Sequence, residues 1–293
     1  MISRREVIEK LNHYRPCNDC NTPIFKNKPL NELELVNRKR KCVCGKVQID
    51  DVMIDILNVM MDFGEIEKNT DSICLKDAGT PLIEIGYPLK YLPSLLENEL
   101  IIMNNVSRKC AEEIIKIPEV KGVISKQSRD NFEISDNSNE VNELLAGNDF
   151  RCDVFILKSI SNCVMVCKNQ SKVHIEFPRL FNPKIAKVDS LNLKEKVVLD
   201  GFCGSGTLGM AALKKGAEKV IFSDINKNAL DDVIYNLKLN FGDDVFDKVE
   251  IIHSDFLELD VTCDVCFIDL FPHMNAINFI EKAKKISKQV VII

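Results

Sequence analysis

The residues of this 293-residue chain best placed to do chemistry are four aspartates, each at or near the end of a short apolar run. Val197-Val198-Leu199 ends in Asp200 and a glycine-rich turn, Gly201-Phe202-Cys203-Gly204-Ser205-Gly206, before a small apolar helical pattern from Leu208 to Leu213. Strand, tight turn and helix in that order bring backbone N–H groups and a helix N-terminus against a ligand. Gly204, Gly206 and Gly209 also fit the dinucleotide spacing Gly-x-Gly-x-x-Gly, so the turn alone predicts only a nucleotide-like ligand. Asp224 ends Val220-Ile221-Phe222-Ser223 and is followed by Ile225. A carboxylate there accepts hydrogen bonds from both hydroxyls of a ribose, or caps the helix that follows. Asp255, after Ile251-Ile252-His253-Ser254, either holds an adenine amino group, with Phe256 beside the ring, or caps a loop. Asp269 opens Asp269-Leu270-Phe271-Pro272 at the end of another apolar run. Ligands of open α/β sheets bind at this carboxyl edge.

A second constellation lies near the N-terminus. Cys17-x-x-Cys20 and Cys42-x-Cys44-Gly45 are two pairs about twenty residues apart, the spacing of a zinc ribbon, in which two tight turns converge four thiolates on one ion. An iron–sulfur cluster or four unrelated core cysteines are the alternatives. With four cysteine ligands a metal keeps no open position, so the site predicts structure rather than catalysis. The chain has 12 cysteines, and a cytosolic setting argues against disulfides among them. No apolar run approaches a membrane span of ~18 residues, and Met1–Val7 carries no apolar signal region, which predicts a cytoplasmic protein.

The elements that must position these groups follow from periodicity. Strands are expected at 196–200, 219–223, 249–253, 264–269 and 289–293, and helices at 206–215, 226–240 and 274–287. Strands alternating with helices predict an α/β, Rossmann-like, mostly parallel sheet covered on both faces. Before it, β-like runs at Asp153–Leu157, Cys163–Cys167 and Lys172–Phe177 are expected, the last two joined through Asn169-Gln170-Ser171. Further upstream, helices are expected at 3–14, with Ser3 as its cap, and at 50–63, capped by Asp50 and ended by Gly64. The methionines of the second are assigned to the core. Ile73–Leu75, Leu82–Ile85, Leu100–Met103 and Val120–Ile124 read as strands, Ser107–Ile117 as a helix, and residues 125–139 as a polar loop. The predicted organisation is a zinc-ribbon-like segment with a helix at 1–70, a small α/β region at 71–150 and a larger α/β domain at 151–293.

The four ordered motifs at the sheet edge resemble those of class I S-adenosylmethionine-dependent methyltransferases over about residues 172–293. The resemblance implies that the turn Asp200–Gly206, including Gly201, Phe202, Gly204 and Gly206, holds the methionine part of the cofactor. It implies a ribose role for Asp224 beside Ile225, and an adenine role for Asp255 beside Phe256. Asp200-Gly201-Phe202-Cys203-Gly204-Ser205-Gly206-Thr207 is similar to the Asp-Pro-Phe-Cys-Gly-Ser-Gly-Thr of RNA and DNA amino-methyltransferases. Asp269-Leu270-Phe271-Pro272 departs from their Asn/Asp-Pro-Pro-Tyr/Phe at Leu270 and Pro272, and is also similar to the Asp-Pro-Phe-Gly of tRNA guanine-N2 dimethyltransferases. It keeps the carboxylate and the aromatic, so Asp269 is expected to accept a hydrogen bond from an exocyclic amine and Phe271 to stack on the base. His273 is a possible base, or a helix-start histidine. Glu176-Phe177-Pro178-Arg179-Leu180 resembles the β-rich lead-in of several RNA methyltransferases. The familiar fold adds two strands after the fifth, and the runs at 153–177 are expected to occupy that edge. A dinucleotide enzyme accounts for the turn but not for Ser254-Asp255-Phe256 or Asp269–Pro272.

Charge separates the possible acceptors. Net charge is −5 overall, yet residues 1–48 hold eleven Lys/Arg against five acids, a net +6, which leaves −11 for the remainder. The resemblance implies methylation of a base amine of tRNA or rRNA, and the basic segment adds the expectation that Arg38, Lys39, Arg40 and Lys41 of the ribbon hold phosphates. The acidic body and the scarcity of stacking residues, no Trp and four Tyr, keep two alternatives open. One is a methyltransferase of a protein side chain or small metabolite with the ribbon as a docking element. The other is a non-catalytic zinc-ribbon binding module.

Overall fold

The computed structural model describes residues 2–67, 71–126, 142–270 and 274–293. They form two compact units: one over Arg5–Arg151 with Asn169–Ser171, which contains the cysteine-bearing segment and the small α/β region, the other over Met1–Arg4, Cys152–Lys168 and Lys172–Ile293. Among the described residues no helix is long and apolar enough to cross a membrane.

In the first unit, α1 (Arg4–His13) leads through the cysteine-bearing segment to β1 (Val47–Gln48) and α2 (Ile49–Asp62). Strands β2 (Thr80–Ile83), β3 (Ile85–Gly86), β4 (Ser94–Leu95) and β5 (Leu100–Met103) follow, then α3 (Arg108–Ile114), β6 (Val120–Lys126) and β7 (Asn142–Gly147). Helix α2 buries Val52, Met53, Ile56, Leu57 and Met60, the i, i+1, i+4, i+5, i+8 stripe of an amphipathic helix. Its N-cap position is Gln48 rather than Asp50. Asp50 sits inside the first turn, completely buried, and accepts the Ile24 N–H at 2.7 Å. The four-stranded sheet runs β2-β5-β6-β7. β5 and β6 are parallel through α3, which Ser107 caps by accepting from Cys110 N–H; the flanking pairs are antiparallel. Ile73–Leu75 is not a strand, because the chain turns there into a 3₁₀ segment, Leu75–Ala78. Most of the predicted polar loop at 125–139 lies outside the described residues.

In the second unit, β8 (Phe150–Leu157, whose first two residues belong to the first unit) and β9 (Asn162–Asn169) precede α4 (Pro183–Ser190). Then come β10 (Val197–Asp200), α5 (Thr207–Lys214), β11 (Lys219–Asp224), α6 (Lys227–Phe241), β12 (Val249–His253), β13 (Cys263–Ile268), α7 (Ile277–Ile286) and β14 (Ser287–Ile292). The five-stranded sheet has the order β12-β11-β10-β13-β14, and every pair is parallel. Alternation along β10 sends Val198 to a core shared with Phe222, Phe267, Leu208 and Leu230, and Leu199 to the opposite core with Ile221, Cys266, Ile268 and Ala283.

Three expectations are corrected here. β8 and β9 do not extend the parallel sheet; they are neighbours in a separate small sheet. They pack through Phe155, Leu157, Val164 and Val166 against the core on the α5–α6 face. Lys172–Phe177 is not a strand but irregular chain. And Cys152 is joined to Cys167 by a disulfide, against the expectation of reduced thiols throughout.

Candidate active site and metal centre

The parallel register of β10 with β11 and β13 aligns Asp200 with Phe222 and Phe267, so the carboxyl ends of these strands open at one edge. Asp200 is 1% exposed. Its Oδ2 accepts the Gly209 N–H at 2.7 Å, tying the strand end to α5, while Oδ1 is buried with no hydrogen-bond partner. Burial, with the charges of Asp269, Asp224 and Glu176, pushes this carboxyl up to about 7, against the pull of the Gly209 N–H. Gly204 has φ +49°, and a Cβ there would meet nothing within 4 Å, so the turn faces open space. At Gly201 the reverse holds: a Cβ would lie 2.3 Å from the Phe256 ring, which packs directly beneath the turn.

Asp224 accepts from Gly204 N–H (Oδ2, 2.8 Å) and Asn226 N–H (Oδ1, 2.8 Å), so it braces the turn as well as ending its strand. Asn226, not Asp224, caps α6. Ile225 is 65% exposed at the strand end. Asp255 accepts the Leu257 N–H at 2.8 Å and caps the 3₁₀ turn Phe256–Glu258. Phe256 is 3% exposed, its ring stacked on Phe202 with centroids 4.9 Å apart and edge-on to Phe279; it is floor to the site rather than an open face. Cys203 is buried, and burial together with Asp200 and Asp224 pushes its thiol well above the usual range.

Asp269 stands at the end of β13, and its Oδ2 accepts from Lys184 Nζ at 2.6 Å. Burial raises its carboxyl, Lys184 opposes that shift, and Glu176 adds to it. Glu176 accepts from the Thr207 hydroxyl at 3.3 Å, so part of the lead-in segment reaches the start of α5. Phe271, predicted to stack on a base, and His273 lie outside the described residues.

Two positioning groups were not singled out in the sequence. Asn236 and Asn240, one turn apart on α6, are buried and bind the backbone of β9: Asn236 Oδ1 accepts Cys167 N–H and Asn240 Oδ1 accepts Met165 N–H. Asn236 also donates to Ser205 C=O at 3.1 Å, fixing the glycine turn from behind. The available signal was two amides at i, i+4 on the face of α6 that carries Leu230, Val233 and Leu237. Lys184 carried no such signal.

In the first unit, the sulfurs of Cys17, Cys20, Cys42 and Cys44 all lie within 4.8 Å of one another. Cys17–Cys42, Cys17–Cys20 and Cys20–Cys44 are 3.4, 3.8 and 3.9 Å apart. A tetrahedral ion with Zn–S bonds of ~2.3 Å needs edges of about 3.8 Å, so the donor set fits. The knuckles are Cys20 N–H to Cys17 C=O and Gly45 N–H to Cys42 C=O, the latter with Gly45 at φ +83°. The basic run beside them is divided. Arg38 Nε pairs with Asp51 at 2.6 Å and its guanidinium also donates to Thr22 C=O. Arg40 pairs with Asp55 and Glu119. Lys39 and Lys41 are exposed.

A family model described as Conserved hypothetical protein 95 matches residues 179–293. The ribosomal protein L11 methyltransferase of Colwellia psychrerythraea is 45% identical over 64 residues, 22% of this chain and 21% of that protein. Its counterpart from Pseudoalteromonas atlantica is 40% identical over 77 residues, 25% of each. The chain thus spans a quarter or less of the length of these curated relatives. The solved complex of aTrm5 and tRNALeu is 22% identical with a TM-score of 0.50, over 97% of this chain and 80% of that one. The likeness is one of fold: the unit that carries Asp200, Asp224, Asp255 and Asp269 is a Rossmann-like α/β fold around a parallel sheet.

Proposed function

We propose that this chain is a cytoplasmic S-adenosylmethionine-dependent methyltransferase acting on a base amine of tRNA or rRNA. The observation that carries the proposal is the edge at β10: a buried Asp200 Oδ1 without a partner beneath a glycine turn that faces open space at Gly204. An unpartnered buried carboxylate oxygen is costly, and a cationic ligand relieves it. In this reading Asp200, Gly201, Phe202, Gly204 and Gly206 hold the methionine part of the cofactor, Asp224 and Ile225 the ribose side, and Asp255 the adenine, with Phe256 as support. The cofactor supplies an electrophilic methyl on a cationic sulfur. Asp269 orients the acceptor amine and accepts its hydrogen bond, and Phe271 stacks on the base. Catalysis is then mainly positioning.

The RNA reading draws support from the fold shared with a protein solved on tRNALeu and from the basic N-terminal segment. Zinc at Cys17, Cys20, Cys42 and Cys44 would order that segment, and Lys39 and Lys41 are the members of the run left to grip phosphates. A second reading, methylation of a protein side chain, is favoured by the L11 methyltransferase relatives. Transfer of labelled methyl from the cofactor to separated RNA, protein and metabolite fractions decides between them. Label in RNA supports the first reading, label in protein the second. Calorimetry showing no cofactor binding would remove both.

A further inference from the structure

We propose that Lys184 is the positioning residue that keeps Asp269 ionised and aimed at the acceptor. The inference rests on the reading of Asp269 given above and adds a residue to it. Lys184 Nζ lies 2.6 Å from Asp269 Oδ2. One oxygen is thus held by the lysine, and we assign the other to the substrate.

The placement of Lys184 is built by its helix. Asn182 caps α4 by accepting from Ile185 N–H, Pro183 occupies the first helical position, and Ile185 and Val188 are buried in the core. Lys184 therefore sits in the first turn, where a cation opposes the helix dipole. That local cost is offset by what Lys184 meets across the site. The charged groups around Asp269 are Glu176 and His174 on the irregular segment before α4, Asp200 on β10, and Lys184 itself. Two of these are carboxylates, and Lys184 is the cation in direct contact. Without it, burial and the neighbouring acids would drive Asp269 toward its neutral form, which donates a hydrogen bond where acceptance is needed.

The step served is proton acceptance. With the cofactor bound, the acceptor nitrogen's lone pair would form the new N–C bond as the methyl–sulfur bond breaks, its electron pair staying on sulfur, which leaves as a neutral thioether; the amine's N–H proton would pass to Asp269 Oδ1 and from there to water. Asp269 is active as the anion, so the rate falls as pH drops through its titration.

The test is the pH profile of kcat for Lys184→Met and Lys184→Arg, with methyl transfer by the unaltered protein measured first. Lys184→Met is expected to move the acid limb up by about 1–3 pH units and to lower the rate above that limb as Asp269 loses its aim. Lys184→Arg is expected to restore the limb. Cofactor affinity by calorimetry and the melting temperature check that the variant folds. An unshifted limb in a folded Lys184→Met, or a raised KM with an unshifted limb, overturns the proposal. If the unaltered protein methylates nothing, the functional reading fails first and separately.

Discussion

Two candidate sites are built on tight turns, the glycine turn and the paired cysteine knuckles, and they are held in different ways. The glycine turn after β10 is gripped by the chain itself. Gly204 N–H goes to Asp224, Gly209 N–H to Asp200, the Ser205 hydroxyl to Asp232 and the Ser205 carbonyl to Asn236. The Phe202–Phe256–Phe279 cluster lies beneath it. The paired knuckles at Cys17–Cys20 and Cys42–Gly45 sit in a segment tied by polar contacts, Ile24 N–H to Asp50 and Arg38 to Asp51 among them, with little apolar core. Between Arg15 and Lys46 only Leu30 is buried. A segment with so little core would gain most of its order from an ion if the four cysteines hold one, whereas the glycine turn is held by the chain's own hydrogen bonds.

If the four cysteines hold zinc, removing it should disorder the cysteine-bearing segment and spare the glycine turn. Structural zinc sites contribute on the order of 10 kcal/mol or more. Chelation, or Cys17→Ser, is expected to abolish hydrogen-exchange protection across residues 17–46 while cofactor affinity by calorimetry stays within a few-fold. Protection that survives in metal-free protein would show that the segment orders itself.

The glycine turn should respond in the other direction. With its folded value raised to about 7, Asp200 binds a proton more tightly folded than unfolded. Its penalty is absent below the unfolded value near ~4, grows from there, and is complete above about pH 7. Asp200→Asn is then expected to stabilise the cofactor-free protein by up to about 4 kcal/mol at pH 8, to flatten stability between pH 4 and 8, and to weaken cofactor binding. Parallel stability–pH curves for the two proteins would refute the assignment of that strain to Asp200.

The same contrast explains what was legible beforehand. Strands β10, β11 and β13 are apolar runs that end in or directly before Asp200, Asp224 and Asp269, the pattern of central strands in a parallel sheet. Lys172–Phe177 alternates just as well, and Val173 and Ile175 are indeed buried while Lys172 and His174 are exposed. Alternation reports burial, though, not pairing, and this segment has no strand partner in the parallel sheet. Asp200, Asp224 and Asp269 stand out because their place at strand ends is a local property. Lys184 does not, since its partner is 85 residues away and any solvated lysine looks the same. Arg38-Lys39-Arg40-Lys41 read as one basic patch for the same reason: the acids that claim Arg38 and Arg40 come from α2 and from Glu119.

Two substitutions of intermediate size probe the scaffolds behind the turns. Arg38→Met leaves Asp51 buried without its cation and is expected to cost about 3 kcal/mol in chemical denaturation, independent of RNA. Asn236→Ala strips partners from Cys167 N–H and Ser205 C=O, for about 2 kcal/mol, and should also loosen cofactor binding. Asn240→Ala is its control, since it removes β9 contacts without touching the turn. Equal affinity losses in the two asparagine variants would mean that Asn236 acts through general stability alone.

The smallest change in stability is expected where the contact is with a partner rather than within the fold. Lys39 and Lys41 are exposed, so replacing both with Ala should leave the melting transition within about 0.5 kcal/mol. If they hold phosphates, each contributes counterion release, and the double variant should bind tRNA more weakly at low salt. The slope of log affinity against log salt should fall by roughly 1–2. A substrate that is a protein would leave that slope untouched while methyl transfer to it continued. Because Arg38 is committed to Asp51, an RNA defect in Arg38→Met should follow its lost stability and disappear at temperatures where the variant is folded. A defect in the lysine variant should persist at every temperature, which separates the residues that build the ribbon from those that use it.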